Sequence, residues 1–94
     1  MTIELRTVVT RTPGLLSTRV DDEIVILNPD RDNYVGLDAV GRAVWDVIEQ
    51  PCQVADVCLA LSRDVAATPG RIAADVLPFL AEIVGEGIAC VAEP

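Results

Sequence analysis

Residues 31–48 read RDNYVGLDAVGRAVWDVI. Tyr34 to Leu37 is a short strand-like run that stops at Asp38, where the period changes with no linker between. Val40, Ala43, Val44, Val47 and Ile48 then recur at i, i+3, i+4, i+7 and i+8, which is one face of a helix. Asp38 is a favoured N-cap, because its side-chain oxygen accepts from the free N–H groups of the first turn. Pro51 ends the helix, since its ring clashes with the preceding turn and it has no N–H to give. A strand therefore bends straight into a helix, and the corner fixes how the sheet meets the helical layer.

Working back from the corner, Asn28-Pro29-Asp30 is a turn: Pro presets the second position, and Asn and Asp bond back to the backbone. EIVIL (23–27) and LLSTRV (15–20) are strand-like runs joined by Asp21-Asp22, a hairpin turn without the preferred glycine. With NYVGL (33–37) they predict a small antiparallel meander. Pro13-Gly14 separates this unit from an N-terminal arm, residues 1–14, whose Ile3, Leu5 and Val9 show loose strand-like alternation. Two readings stand for the arm: a loose terminus, or a strand that pairs with an edge of its own chain or of a neighbour's.

Working forward, Val54, Val57, Cys58 and Leu61 repeat the helical spacing, with Asp56 favourably placed in the first turn. Gln53 stands where Ser or Thr would cap this second helix. Thr68-Pro69 is an N-cap followed by proline at the first helical position. Ile72, Val76, Phe79, Leu80 and Ile83 form the stripe of a third helix, and Gly85 and Gly87 are stop residues. Pro78 inside that helix removes one donor and predicts a kink. IACVA (88–92) reads as a strand or a docked tail.

The whole chain has 94 residues, enough for one modest core. Only Tyr34, Trp45 and Phe79 are aromatic, so that core is aliphatic. Lys+Arg 7 against Asp+Glu 15 gives a net charge of −8, which repels phosphate backbones and anionic headgroups. No apolar run reaches the roughly 20 residues of a membrane helix, and the start lacks a signal-peptide core. A cytoplasmic protein is expected. Cys52, Cys58 and Cys90 form no C-x-x-C pair, and the chain has no histidine. Reduced structural thiols and no metal site follow.

The same composition leaves little chemistry. General-base histidine, nucleophile elbow and phosphate-cradling glycine loop are all missing. Asp21, Asp22, Glu23, Asp30 and Asp32 lie in turns, where solvated charge is the ordinary state, and they lack the spacing of a calcium loop. No catalytic residue and no cofactor are expected, and binding is the remaining class. The predicted fold is α+β, winged helix-turn-helix-like: a three-stranded antiparallel sheet followed by three helices. Nucleic-acid binding is then an alternative, yet the third helix offers Arg71 against Asp75, Glu82 and Glu86. A further alternative is a structural subunit that only stabilises an enzyme partner.

GLDAVGRAVWDVIEQP (36–51) and DVLPFLAEIVGEG (75–87) are similar to the PqqD-like family, over roughly residues 15–91. Its members include the small leader-binding elements of ribosomal-peptide pathways, lasso-peptide ones among them. Pro78 and Gln53 depart from the family's usual helix former and helix cap. The resemblance implies a winged-helix peptide-binding domain over 15–94 that captures a precursor's leader. The leader adds as an extra strand to the third strand of the meander and lies in a groove against the third helix. A separate enzyme (a peptidase, a cyclase or a radical-SAM protein) then modifies the core peptide. The chain itself is expected to be a monomer or a weak homodimer.

The residues supply a physical reason. An edge strand over Asn33, Tyr34, Val35, Gly36 and Leu37 offers unpaired N–H and C=O groups that a disordered peptide can satisfy. Gly36 permits close approach of a guest chain. On the third helix Arg71, Ile72, Asp75, Val76 and Phe79 stand nearest the expected groove. Ile72, Val76 and Phe79 either wall it or belong to the core, and Asp75 either holds a polar or basic leader group or is simply solvated. Trp45 lies off the first helix's stripe, either as a core flank or as a contact for the partner enzyme.

Overall fold

The computed structural model describes residues 3–21, 23–63 and 68–92. The meander is present. Strands β2 (Leu16–Val20), β3 (Glu23–Asn28) and β4 (Asn33–Leu37) pair antiparallel in chain order. Val20 pairs with Glu23 across the hairpin, and Asp21 takes the left-handed conformation (φ 56°) that such a turn requires. Asp22, the other turn residue, lies outside the described residues. In the second turn Asn28 Oδ1 accepts from the Asp30 amide at 3.1 Å, and Asp32 is left-handed (φ 52°).

Three helices follow: α1 (Ala39–Val47), α2 (Val54–Ser62) and α3 (Pro69–Gly85). The winged α+β reading of the sequence thus holds. Asp38 Oδ1 accepts from the Gly41 amide at 2.9 Å, and Thr68 Oγ1 from the Arg71 amide at 3.3 Å. α3 continues through Pro78, which is exposed, as is Ala74 one turn back. The carbonyl that proline deprives of a partner therefore lies on the water side of the helix, where hydration offsets the loss. No helix among the described residues is long and apolar enough to cross a membrane.

A second sheet was not foreseen as a unit. Strand β1 (Val8–Arg11) lies between β5 (Cys52–Gln53) and β6 (Ala89–Val91), antiparallel to both. The stretch read as an N-terminal arm thus supplies a central strand, paired with its own chain, and Val9 is fully buried in the core. The run 88–92 contributes β6 rather than an unpaired tail. The arm also solves the missing cap of α2. Gln53 makes no side-chain cap bond, but the Val54 amide donates to the Thr7 carbonyl at 2.9 Å and the Ala55 amide to the Leu5 carbonyl at 2.8 Å. Arg11 closes the joint with α1. Its Nε donates to the Trp45 carbonyl at 2.9 Å, and its guanidinium lies 4.6 Å over the Trp45 ring. Trp45 is buried in the core.

That core is aliphatic: Ile24, Ile26 and Leu37 from the meander meet Val44 and Ile48, Val57 and Leu61, and Ile72, Val76, Leu80 and Ile83 from the three helices. Burial pushes the Cys58 thiol up. Burial and then the charge of Asp56 do the same to Cys52. Both are held in the protonated form that neither attacks nor ligates well.

Candidate functional site

The meander has two open edges, β2 and β4, and the β4 edge borders a cleft. β4 pairs with β3 alone, and among the described residues its backbone makes no other hydrogen bond. A two-residue hairpin closes on a hydrogen-bonded pair, so Val20–Glu23, Thr18–Val25 and Leu16–Leu27 are the bonded pairs of β2 and β3. Ile24, Ile26 and Asn28 then turn their backbone groups to Leu37, Val35 and Asn33. By the same alternation the N–H and C=O groups of Tyr34 and Gly36 point away from the sheet, along the free edge.

Side chains alternate with the backbone. Val35 and Leu37 point inward, and Tyr34 points outward and is 76% exposed. The outer face carries Leu16, Leu27 and Tyr34 in one cross-strand row, all exposed. A Cβ built on Gly36 would meet nothing within 4 Å. The chain's own packing therefore does not demand glycine there, and the space above it is open.

Beside this edge lies a cleft of about 360 Å³ between β4 and the C-terminal half of α3. Val35, Leu37, Phe79 and Ile83 supply its apolar surface, and Glu23, Asp38, Glu82 and Glu86 supply carboxylates. Phe79, Glu82, Ile83 and Glu86 stand at i, i+3, i+4 and i+7, so one face of α3 presents them together.

Two joints fix the width of the cleft. At one end, Gly41 in the first turn of α1 makes room: a Cβ there would stand 3.2 Å from Leu37 Cβ and 3.2 Å from Phe79 Cζ. The strand-to-helix corner thus seats the Phe79 ring. At the other end, the β3–β4 turn grips the C-terminus of α3. Arg31 Nη1 donates to the Gly85 carbonyl at 2.8 Å, Asn28 Nδ2 to the Gly87 carbonyl at 3.2 Å, and Asn33 Nδ2 to Glu86 Oε2 at 3.2 Å. Gly87 is left-handed (φ 82°) and closes a Schellman turn, its amide donating to Val84 O and that of Ile88 to Ile83 O. A Cβ on Gly87 would come within 2.8 Å of Arg31 Nε. Asn33 Oδ1 is sealed from solvent and has no partner among the described residues. Its amide orientation is set by Glu86, because the flipped form would point an oxygen at a carboxylate.

Of the residues singled out from sequence, the structure brings Val35, Gly36, Leu37 and Phe79 together in the cleft. Asn33 joins them through Glu86, while Tyr34 contributes backbone at the edge and turns its ring to the outer face. Ile72 and Val76 are buried in the core, one of the two places open to them. Arg71 and Asp75 are exposed on the first turns of α3, outside the cleft lining. Sequence reasoning missed Glu23 and Asp38 as cleft residues, and on α3 it missed Glu82, Ile83 and Glu86. Those on α3 repeat the helical spacing from Phe79, one turn later than the set chosen. The signal was present, but nothing local gave the register in which α3 docks on β4.

The exposed side chains of α3 include Asp75, Glu82 and Glu86 against Arg71, an arrangement that repels a phosphate backbone. Among the described residues no group of three His, Cys, Asp or Glu side chains could hold a metal ion.

The family model described as Coenzyme PQQ synthesis protein D (PqqD) matches residues 23–89. That span runs from the start of β3 to the start of β6 and takes in both walls of the cleft. No curated protein matches the chain. The solved structure of TbiB1 in complex with the TbiA(beta) leader peptide is similar, with a TM-score of 0.80 and 22% identity, over 90% of this chain and 99% of that one. At that identity the likeness is one of fold.

Proposed function

The chain belongs to the PqqD family, and from that premise we propose that it is a non-catalytic recognition element for a ribosomally made precursor peptide. It binds the leader segment by β-strand addition and presents the rest to a separate modifying enzyme, such as a peptidase, a cyclase or a radical-SAM enzyme. It works in the cytoplasm, as a monomer or a weak homodimer. The observation that carries this reading is the free edge of β4 running beside the cleft against α3. TbiB1, which shares the fold, was solved with a leader peptide, and this supports the same use of the same architecture.

Magnitudes say what such a site needs. The outward groups of Tyr34 and Gly36 allow a few backbone bonds, each contributing about 0.5–1.5 kcal/mol net. Ordering a disordered peptide costs about 2–5 kcal/mol. The two nearly cancel, so affinity rests on apolar anchors in the cleft. Burying roughly 100 Å² of apolar surface, the guest's and that of the partly exposed Val35 and Phe79, contributes about 2.5 kcal/mol. Backbone bonds then set register, and the cleft sets which peptide stays.

The test is an NMR titration with the leader part of a precursor encoded beside this gene. Amide shifts confined to 33–37 and 79–86, with slowed exchange at Tyr34 and Gly36, are the expected result. Saturable binding that leaves those amides unmoved removes the proposal.

A further inference from the structure

We propose that the peptide accepted at the β4 edge carries two basic side chains at alternate positions, preceded by an apolar one, in the order apolar-x-(Lys/Arg)-x-(Lys/Arg). This rests on the strand-addition reading above and adds to it the chemistry of the guest.

Charge comes first. Glu23, Asp38, Glu82 and Glu86 ring the cleft, and none of them has an ion-pair partner among the described residues. The chain's basic residues are all arginine. Those with partners are committed elsewhere: Arg11 and Arg19 to Asp46, Arg6 to Glu4, and Arg31 to the Gly85 carbonyl. The cleft is therefore an apolar trough whose negative walls carry no paired cation among the described residues, in a chain of net charge −8. A guest bearing acidic side chains there meets repulsion, and a basic one meets attraction both at long range and on contact.

Geometry then sets the spacing. β4 and α3 run in opposite directions, since Asn33 touches Glu86 at one end and Leu37 and Phe79 flank Gly41 at the other. A guest added antiparallel to β4, the more stable pairing, runs parallel to α3. It passes Phe79 first, then Glu82, then Glu86. Glu82 and Glu86 are one turn apart, ~6 Å along the helix axis. Alternate residues of a strand lie ~6.7 Å apart and share a face. The guest residue opposite Val35 and its neighbours two positions away are the ones that face the cleft. Two successive cleft-facing positions thus match the two glutamates, and the one before them meets the Phe79 ring.

Selection of randomised short peptides by display on the full-length chain tests this without a known ligand. The expected outcome is enrichment of Lys or Arg at alternate positions after an apolar residue. Repeating the selection with the E82Q/E86Q double variant should still yield peptides that shift the Tyr34 and Gly36 amides, with the basic preference gone. A wild-type-selected peptide should bind that variant about 2- to 30-fold more weakly, the range of two exposed ion pairs, and the difference should shrink at high salt. Selected peptides that perturb the β4 amides but carry no basic enrichment, or an unchanged preference in E82Q/E86Q, overturn the charge proposal and leave strand addition standing. Failure to select any peptide that perturbs those amides overturns both.

Discussion

The two three-stranded sheets are built on opposite plans. β2, β3 and β4 have 5, 6 and 5 residues, follow one another along the chain and are joined by short turns. β1, β5 and β6 have 4, 2 and 3 residues and come from the two ends and the middle of the sequence. The first sheet is local; the second forms only when the fold closes. The second keeps its longest strand in the centre and leaves only very short strands at its edges. The first leaves a full-length strand at each edge, β2 and β4, and of the two it is β4 that borders the cleft. A guest chain gains more backbone bonds on β4 than on β5 or β6, so the sheet that could form earliest is also the one left incomplete. The other sheet serves as the clasp that ties both termini to the helices.

The clasp should therefore be the costlier sheet to break. Val9→Asp places a carboxylate at a fully buried position among apolar neighbours. We expect a loss of at least ~3 kcal/mol in urea unfolding. Truncation through Arg11 should do at least as much damage, because it also removes the Leu5 and Thr7 carbonyls that cap α2. A truncated chain that melts like the full one would reduce the second sheet to an ornament of the fold.

The open edge should separate stability from binding. Val35 bonds back to β3, so Val35→Pro should cost about 3 kcal/mol of stability. Gly36 bonds outward, and a side chain there meets open space. Gly36→Pro should leave the melting temperature within a few degrees while weakening leader binding at least tenfold, measured by titration calorimetry. Greater destabilisation by Gly36→Pro than by Val35→Pro would mean that the alternation assigned to β4 is reversed.

These differences also explain what the sequence disclosed. The meander, the corner and the caps at Asp38 and Thr68 are written in neighbouring residues, where turn chemistry and period are visible. Val8–Arg11 and Ala89–Val91 are too short to show a period, and their pairing spans almost the whole chain. Gln53 looked like a defective cap because its substitute, two backbone carbonyls of the arm, has no side-chain signature. In the site, Val35, Leu37 and Phe79 were legible from alternation and helical spacing. Glu82 and Glu86 were not, since their place in the cleft depends on how far α3 slides along β4.

Arg11 offers a finer test of the clasp. Its planar fork bonds the Trp45 carbonyl and stacks on the indole. Arg11→Lys keeps the charge and loses both geometries, so we expect about 1–2 kcal/mol of destabilisation. Trp45 is the single tryptophan, and its emission should shift to the red as water reaches the ring. An unshifted spectrum with unchanged stability would assign the joint to packing alone.

The smallest effect on stability should come from the β3–β4 turn, which grips the C-terminus of α3, and it is the one that reports on the cleft. Arg31 is exposed, so Arg31→Met gives up its bond to the Gly85 carbonyl for about 1 kcal/mol or less. Helix α3 keeps its Schellman turn, and Asn28 still holds the Gly87 carbonyl. The β4 to α3 spacing, however, loses its charged tie at the Glu86 end. If the width of the cleft is set there, leader affinity should fall by a larger factor than stability predicts, with amide shifts concentrated at 82–87. If affinity instead tracks the small change in stability, the spacing is held by the Gly41–Phe79 contact at the corner, and Gly41→Val becomes the substitution that closes the site.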